Sequence, residues 1–206
     1  MAFHDFSENL AYSKGVREQT DVATIQRLIA GCVRVEKTCE AQDRAGVDYI
    51  ATLRRGAKVL IDAKTRKAGC GRHWREGPEL ALETYSVLPE NGIEGKVGWT
   101  LCEAKDVDYI FFTFDPADTR EVFLYPFQLL RMAFRKNLPR WREKYKLDVQ
   151  DSGGWRSQCV FVPESVAWRS VRDVMHGEYV EAHSVIDKRD SPAFLRPVQA
   201  SLFPDA

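Results

Sequence analysis

The chain has 206 residues, 44% hydrophobic and 29% charged, with 30 basic side chains balancing 30 acidic ones. That is the composition of an ordinary globular protein with a core, and the length predicts one domain with appended pieces. It excludes a protein that coats nucleic acid by bulk charge, while leaving room for a local basic patch.

No apolar run approaches the roughly 20 residues that span a bilayer, so no membrane partner is expected. The start, MAFHDFSENL, is polar and acidic rather than signal-like. Cys32, Cys39, Cys70, Cys102 and Cys159 are odd in number and scattered. That pattern argues against a disulfide framework and fits a reducing, cytoplasmic location.

In chain order, Ser7 is placed to cap a short helix within residues 3–14. Val22, Ile25 and Ile29 recur at helical spacing, which predicts a helix over about 16–31 with Gly31 as its stop. Glu18 lies four residues before Val22 and so falls on the buried stripe. A carboxylate there either has a purpose or sits wet at the helix N-terminus, where the dipole favours it. Residues 32–40 alternate weakly, as a short strand would.

Residues 46–64 read as a β-hairpin. GVDYIATL and AKVLIDAK are strand-like, and Arg54-Arg55-Gly56 joins them. Asp62 and Lys64 are two apart and share a face. Antiparallel pairing brings the start of the first strand beside the end of the second, and so Asp48 beside Asp62 and Lys64. The stretch 65–78 leaves from that end as a Gly-rich loop. It carries Arg66, Lys67, Arg72, His73 and Arg75, a set suited to phosphate contacts if not merely solvated.

Residues 79–87, bounded by Pro78 and Pro89, predict a strand, and Gly98-Trp99 starts a short helix to about 105. VDYIFFTF (107–114) is apolar on both faces, the mark of a covered central strand. A helix is expected from about 126 to 137. The run 140–148 is expected as a solvated basic face, with nucleic-acid contact through Trp141 and Tyr145 as the alternative. A strand over 158–162 and a helix to about 175 complete a domain of residues 1–183. Residues 184–206 form a tail without periodicity, expected to be flexible.

Clustered carboxylates suit a hard cation, Mg²⁺ or Mn²⁺. Asp48 and Asp62 are the candidate ligands, and Lys64 stands on the same face to serve an attacking water or developing negative charge. Alone, Asp-x-Lys is a frequent accident and reads as a structural ion pair on a strand. Cys70 and His73 have ligand spacing, but no second pair completes a zinc site.

The quartets Gly46-Val47-Asp48-Tyr49 and Ile61-Asp62-Ala63-Lys64, in this order of elements, resemble the PD-(D/E)xK nuclease superfamily over about residues 12–115. Val47 stands where that family often has Pro. The resemblance implies an α/β fold with a mixed central sheet and an αβββαβ restriction-endonuclease-like core, followed by C-terminal helices. It implies Mg²⁺- or Mn²⁺-dependent hydrolysis of DNA. Asp48, Asp62 and the Ala63 carbonyl would hold the metal, Lys64 would be the catalytic lysine, and Glu18 the helix carboxylate near the metal. Glu83 and Gln42 are weaker additions. A homodimer is one arrangement by which both strands of a duplex would be cut. The rival is a catalytically idle member that binds DNA or a protein, against which intact Asp48, Asp62 and Lys64 speak.

In the tail, Gln199-Ala200-Ser201-Leu202-Phe203 resembles the peptide that binds the bacterial sliding clamp. Gln199 would supply hydrogen bonds, and Leu202 and Phe203 apolar anchors.

Overall fold

The computed structural model describes residues 16–44, 46–66, 74, 77–90, 92–114, 120–151 and 154–183, with side chains for all of these except 16–19, 43–44 and 178–183. The fold is mixed α/β, with four helices and nine strands among the described residues. The chain runs α1 (Val16–Leu28), β1 (Cys32–Lys37), α2 (Glu40–Arg44), β2 (Tyr49–Leu53), β3 (Lys58–Arg66), β4 (Glu79–Val87) and β5 (Lys96–Val97). It continues through β6 (Tyr109–Phe114), β7 (Glu121–Pro126), α3 (Phe127–Lys144), β8 (Leu147–Asp151), β9 (Arg156–Pro163) and α4 (Glu164–His183). Among the described residues no helix is long and apolar enough to cross a membrane.

Two sheets organise these elements. The first has the order β1-β2-β3-β6-β7 and the second β5-β4-β9-β8. The first sheet is mixed: β1, β2 and β3 form an antiparallel meander, β6 runs parallel to β3, and β7 returns antiparallel to β6. The second is antiparallel throughout.

The β2–β3 hairpin closes as its sequence predicts. Gly56 adopts a φ of 82°, which an L side chain rarely tolerates, and its N–H bonds the Leu53 carbonyl. Strand alternation then divides β3. Val59, Ile61 and Ala63 pack with Ile25 and Leu28 of α1, Tyr49 and Ala51 of β2, and Phe111 of β6. On the opposite face, Leu60 joins a larger core of Leu80, Leu82, Val160 and Val162 from the second sheet with Ile110, Phe112 and Phe114 of β6. The expected central strand is β6, with every residue from Ile110 to Phe114 buried.

Several expectations are corrected. Residues 79–87 are a strand, but β4 lies in the second sheet and pairs with β9 and β5, so it is not a third neighbour in the sheet of the hairpin. Residues 98–105 form successive turns rather than a helix, held by Leu101 and Cys102 N–H groups on the Gly98 carbonyl. The third helix runs to Lys144, well past 137, with Pro139 inside it. Phe127, Leu130, Ala133, Phe134 and Trp141 give it a buried stripe long enough to carry the helix through the proline. Trp141 is fully buried, which withdraws it from any nucleic-acid face. The end of the 140–148 run is the edge strand β8, whose alternating pattern is hidden in the sequence by neighbouring charge.

Candidate active site

The hairpin delivers its charges to one place. Asp48 is the last residue before β2, and its N–H donates to the Ile61 carbonyl at 2.9 Å, extending the ladder one step. The Thr38 N–H donates to the Asp48 carbonyl at 2.9 Å, so the backbone of Asp48 is pinned from both sides. Beyond this point the β2–β3 ladder ends, and Asp48 uses its side chain instead: Oδ2 accepts from the Ala63 N–H at 2.6 Å. In a strand the N–H and C=O of one residue leave by the same edge. The Ala63 carbonyl therefore faces the edge on which Asp48 lies, past the last paired residue.

On the face of β3 turned to the second sheet, Lys64 Nζ donates to Asp62 Oδ1 at 2.6 Å. A second ammonium, that of Lys105, lies 2.9 Å from Asp62 Oδ2 and donates to the Gly46 carbonyl at 3.0 Å. Asp62 is 1% exposed. The side chain of Lys105 is 8% exposed, whereas that of Lys64 is 33% exposed and opens to solvent. Lys64 Nζ also sits 5.4 Å from the centroid of the Trp99 ring, within the range of cation–π attraction.

Glu83 of β4 stands at the margin. Its Oε2 accepts from the Trp99 N–H at 2.9 Å. Gly98 comes so close to the Glu83 backbone that a Cβ there would not fit, which is why a glycine begins this turn. A register shift between Glu83 and Tyr85 accompanies the approach.

The electrostatics follow from burial and crowding. Asp48 is pushed up from 3.8 to about 7, first by burial and then by the neighbouring Asp62 carboxylate. Asp62 is held below its ordinary value: burial opposes its charge, but Lys64 and Lys105 together outweigh burial. Lys64 is held above its ordinary value, the attraction of Asp62 overcoming burial. Glu83 is raised by burial, although Trp99 and Lys64 favour its charge.

Of the residues expected at the site, Asp48, Asp62, Lys64 and Ala63 are brought together, and Glu83 is near enough to feel the charge of Lys64. Gln42 enters through its backbone, its carbonyl accepting from the Val47 N–H at 3.0 Å. Glu18 belongs to the first turns of α1, and its side chain lies outside the described residues. Arg66 continues the face of Lys64, with its guanidinium 4.8 Å from the centroid of Phe161. Lys67, Cys70, Arg72, His73, Arg75 and the tail residues Gln199, Leu202 and Phe203 also lie outside the described residues. Sequence reasoning missed Lys105 and the part played by Trp99. Both lie in the irregular stretch between β5 and β6, where no periodicity points at a partner.

Among the described residues no three His, Cys, Asp or Glu side chains are grouped to hold a metal. A cation here would draw on two carboxylates and a backbone carbonyl. Those donors are hard oxygens, as Mg²⁺ and Mn²⁺ require. Asp62 Oδ2 is buried with no aligned donor, the Lys105 ammonium lying near it, and the Asp48 carboxyl shares a hydrogen bond with Asp62. Two buried carboxylates close enough to share a proton fit a small hard cation in its place. No protein-family model, curated protein or solved structure matches the chain.

Proposed function

We propose that the protein is a divalent-metal-dependent nuclease that hydrolyses phosphodiester bonds of DNA, built on a restriction-endonuclease-like core. The observation that carries this reading is the joint placement of Asp48 against the Ala63 backbone and of Asp62 against Lys64, where the β2–β3 ladder ends. The order of elements supports it. α1, the β1–β2–β3 meander and a later strand parallel to β3 match the αβββαβ succession in all but its second helix. In place of that succession's second helix stand β4, β5 and the turns at 98–105.

In this reading Asp48, Asp62 and the Ala63 carbonyl hold Mg²⁺ or Mn²⁺. When bound, the cation would polarise the scissile phosphoryl group and offset its developing charge. Lys64 donates one N–H to Asp62 and retains two further donors for a water or a phosphate oxygen. Its partial exposure lets it meet substrate, and its contacts with Asp62 and Trp99 fix its ammonium. Lys64 would serve as a donor and electrostatic stabiliser. Arg66, with the charges of the following loop, would receive the DNA backbone.

The test is cleavage of single-stranded, duplex and branched DNA with Mg²⁺ and then Mn²⁺. Lys64→Ala is expected to lower cleavage by roughly 10³-fold with little loss of fold. Undiminished cleavage by that variant, purified free of contaminating nuclease, sinks the reading.

The Gln199–Phe203 segment adds a tether in this proposal. Binding to a sliding clamp would raise the local DNA concentration for a chain with no net charge. A peptide of residues 197–206 should bind a bacterial clamp in direct titration, and no binding removes the tether.

A further inference from the structure

Lys105 is the charge that the proposed chemistry leaves unused. Its side chain is almost wholly buried, and it ends between the Gly46 carbonyl and Asp62 Oδ2. Gly46 has a φ of 85°, a conformation L side chains rarely adopt, and the Lys105 ammonium lies against it on the side a Cβ would occupy. The positive φ and the missing side chain together admit an ammonium beside the Gly46 backbone, two residues before Asp48.

The two lysines hold Asp62 differently. Lys64 makes an aligned hydrogen bond to Oδ1. Lys105 approaches Oδ2 at 2.9 Å without alignment, and its formed hydrogen bond goes to Gly46 instead. The Lys105–Asp62 contact is therefore Coulombic and the looser of the two. A buried carboxylate needs a counter-charge, and two carboxylates in one pocket need more than one.

We propose that Lys105 is the built-in counter-cation of the metal-free site. Its ammonium neutralises Asp62 until a divalent cation binds, and binding displaces it from Oδ2 while its bond to Gly46 remains available. Lys105 is thus a positioning residue, holding the carboxylates in place when no metal is present and setting how tightly one is taken up. This rests on the nuclease reading only through the identity of the site as a metal site.

The experiment is Mn²⁺ binding to the full chain, followed by the electron paramagnetic resonance signal of free Mn²⁺. Lys105→Met and Lys105→Gln are compared with wild type, with folding checked by circular dichroism. Removing a positive charge this close to a ligand oxygen is expected to tighten Mn²⁺ binding by about tenfold or more. Lys105→Arg, which keeps the charge, should show no such gain.

Wild-type protein provides a second measurement that needs no variant to fold. Acetylation of Lys105, read by mass spectrometry, should be at least about threefold faster with Mg²⁺ present, because a side chain displaced from the buried carboxylate is more open to the reagent. Unchanged or weaker Mn²⁺ affinity in folded variants overturns the inference, as does acetylation that Mg²⁺ leaves unchanged or slows. If wild type binds Mn²⁺ and the variants show no gain, the inference falls and the nuclease reading stands. If wild type and all variants bind none, both fall.

Discussion

Two buried aspartates lie on opposite sides of the first sheet, and they are held in different ways. Asp21 projects from α1, 4% exposed, where Arg120 donates to its Oδ1 and the Tyr49 hydroxyl donates to Oδ2 at 3.3 Å. Asp62 projects from β3 on the other side, facing two ammonium groups with a second carboxylate close by. The neighbours Asp48 and Tyr49 serve one cluster each, since adjacent residues on a strand point to opposite faces. In the Asp21 cluster a carboxylate meets a guanidinium and a hydroxyl, which ties α1 to β2 and the start of β7. The Asp62 cluster is over-supplied with charge. It leaves one carboxylate oxygen unaligned and pushes Asp48 toward neutrality. Burial alone does not mark a site; a mismatch among buried charges does.

The sharpest way to break this comparison is to remove each carboxylate in turn. Asp62→Asn is expected to abolish Mn²⁺ binding and lower DNA cleavage by roughly 10³-fold or more. Its effect on stability should be the smaller of the two, below about 2 kcal/mol, because Asp48 stands ready to ionise and pair with the lysines. Asp21→Ala takes from Arg120 the carboxylate bonded to it. Its expected cost is about 3–5 kcal/mol in denaturant unfolding, with Mn²⁺ affinity of the folded fraction unchanged. If Asp21→Ala weakened Mn²⁺ binding as much as Asp62→Asn, the two clusters would be one coupled system and the distinction would collapse.

A smaller effect is expected from pH in the metal-free chain. Asp48 is raised from 3.8 to about 7, so its contribution to stability is complete below pH 3.8 and is lost as pH rises through 7. Asp62 is lowered, so its contribution is present above pH 3.8 and is lost on acidification below that. With EDTA present, the Tm should therefore fall between pH 4 and pH 8. Asp48→Asn should flatten that slope, and thermal melts across the range measure both. A Tm that rose across this window in wild type would show that Asp48 is not crowded by Asp62.

The hairpin was legible because period-two patterning and a Gly turn are local signals. Val59, Leu60 and Ile61 fixed the strand, and antiparallel pairing placed Asp48 beside Asp62 and Lys64. The covered strand at 109–114 was legible for the same reason, being apolar on both faces. What surrounds the site was less so. The Glu79–Val87 strand was recognised, but strand character does not say which sheet a strand joins. Glu83 reaches the site from a second sheet, through the turn begun by Gly98. Lys105 carried no signal at all, since a lysine in CEAKDVD reads as solvated until the fold buries it against Gly46 and Asp62. Trp141 misled in the opposite direction, its aromatic ring among arginines reading as a surface when it belongs to the core.

The sequence by itself determined the alternation that puts Asp62 and Lys64 on one face, the glycine that turns the hairpin, and the helix that packs beneath it. These depend on neighbours a few residues apart, where backbone geometry fixes direction. Only the tertiary structure decided that two lysines share Asp62, that Asp48 spends one oxygen on the Ala63 backbone, and that Trp99 and Glu83 line the margin. Apart from the Lys64–Asp62 pair, those contacts join residues 15 to more than 40 positions apart. Burial strips the water that would otherwise screen them, and that is what makes their charges matter.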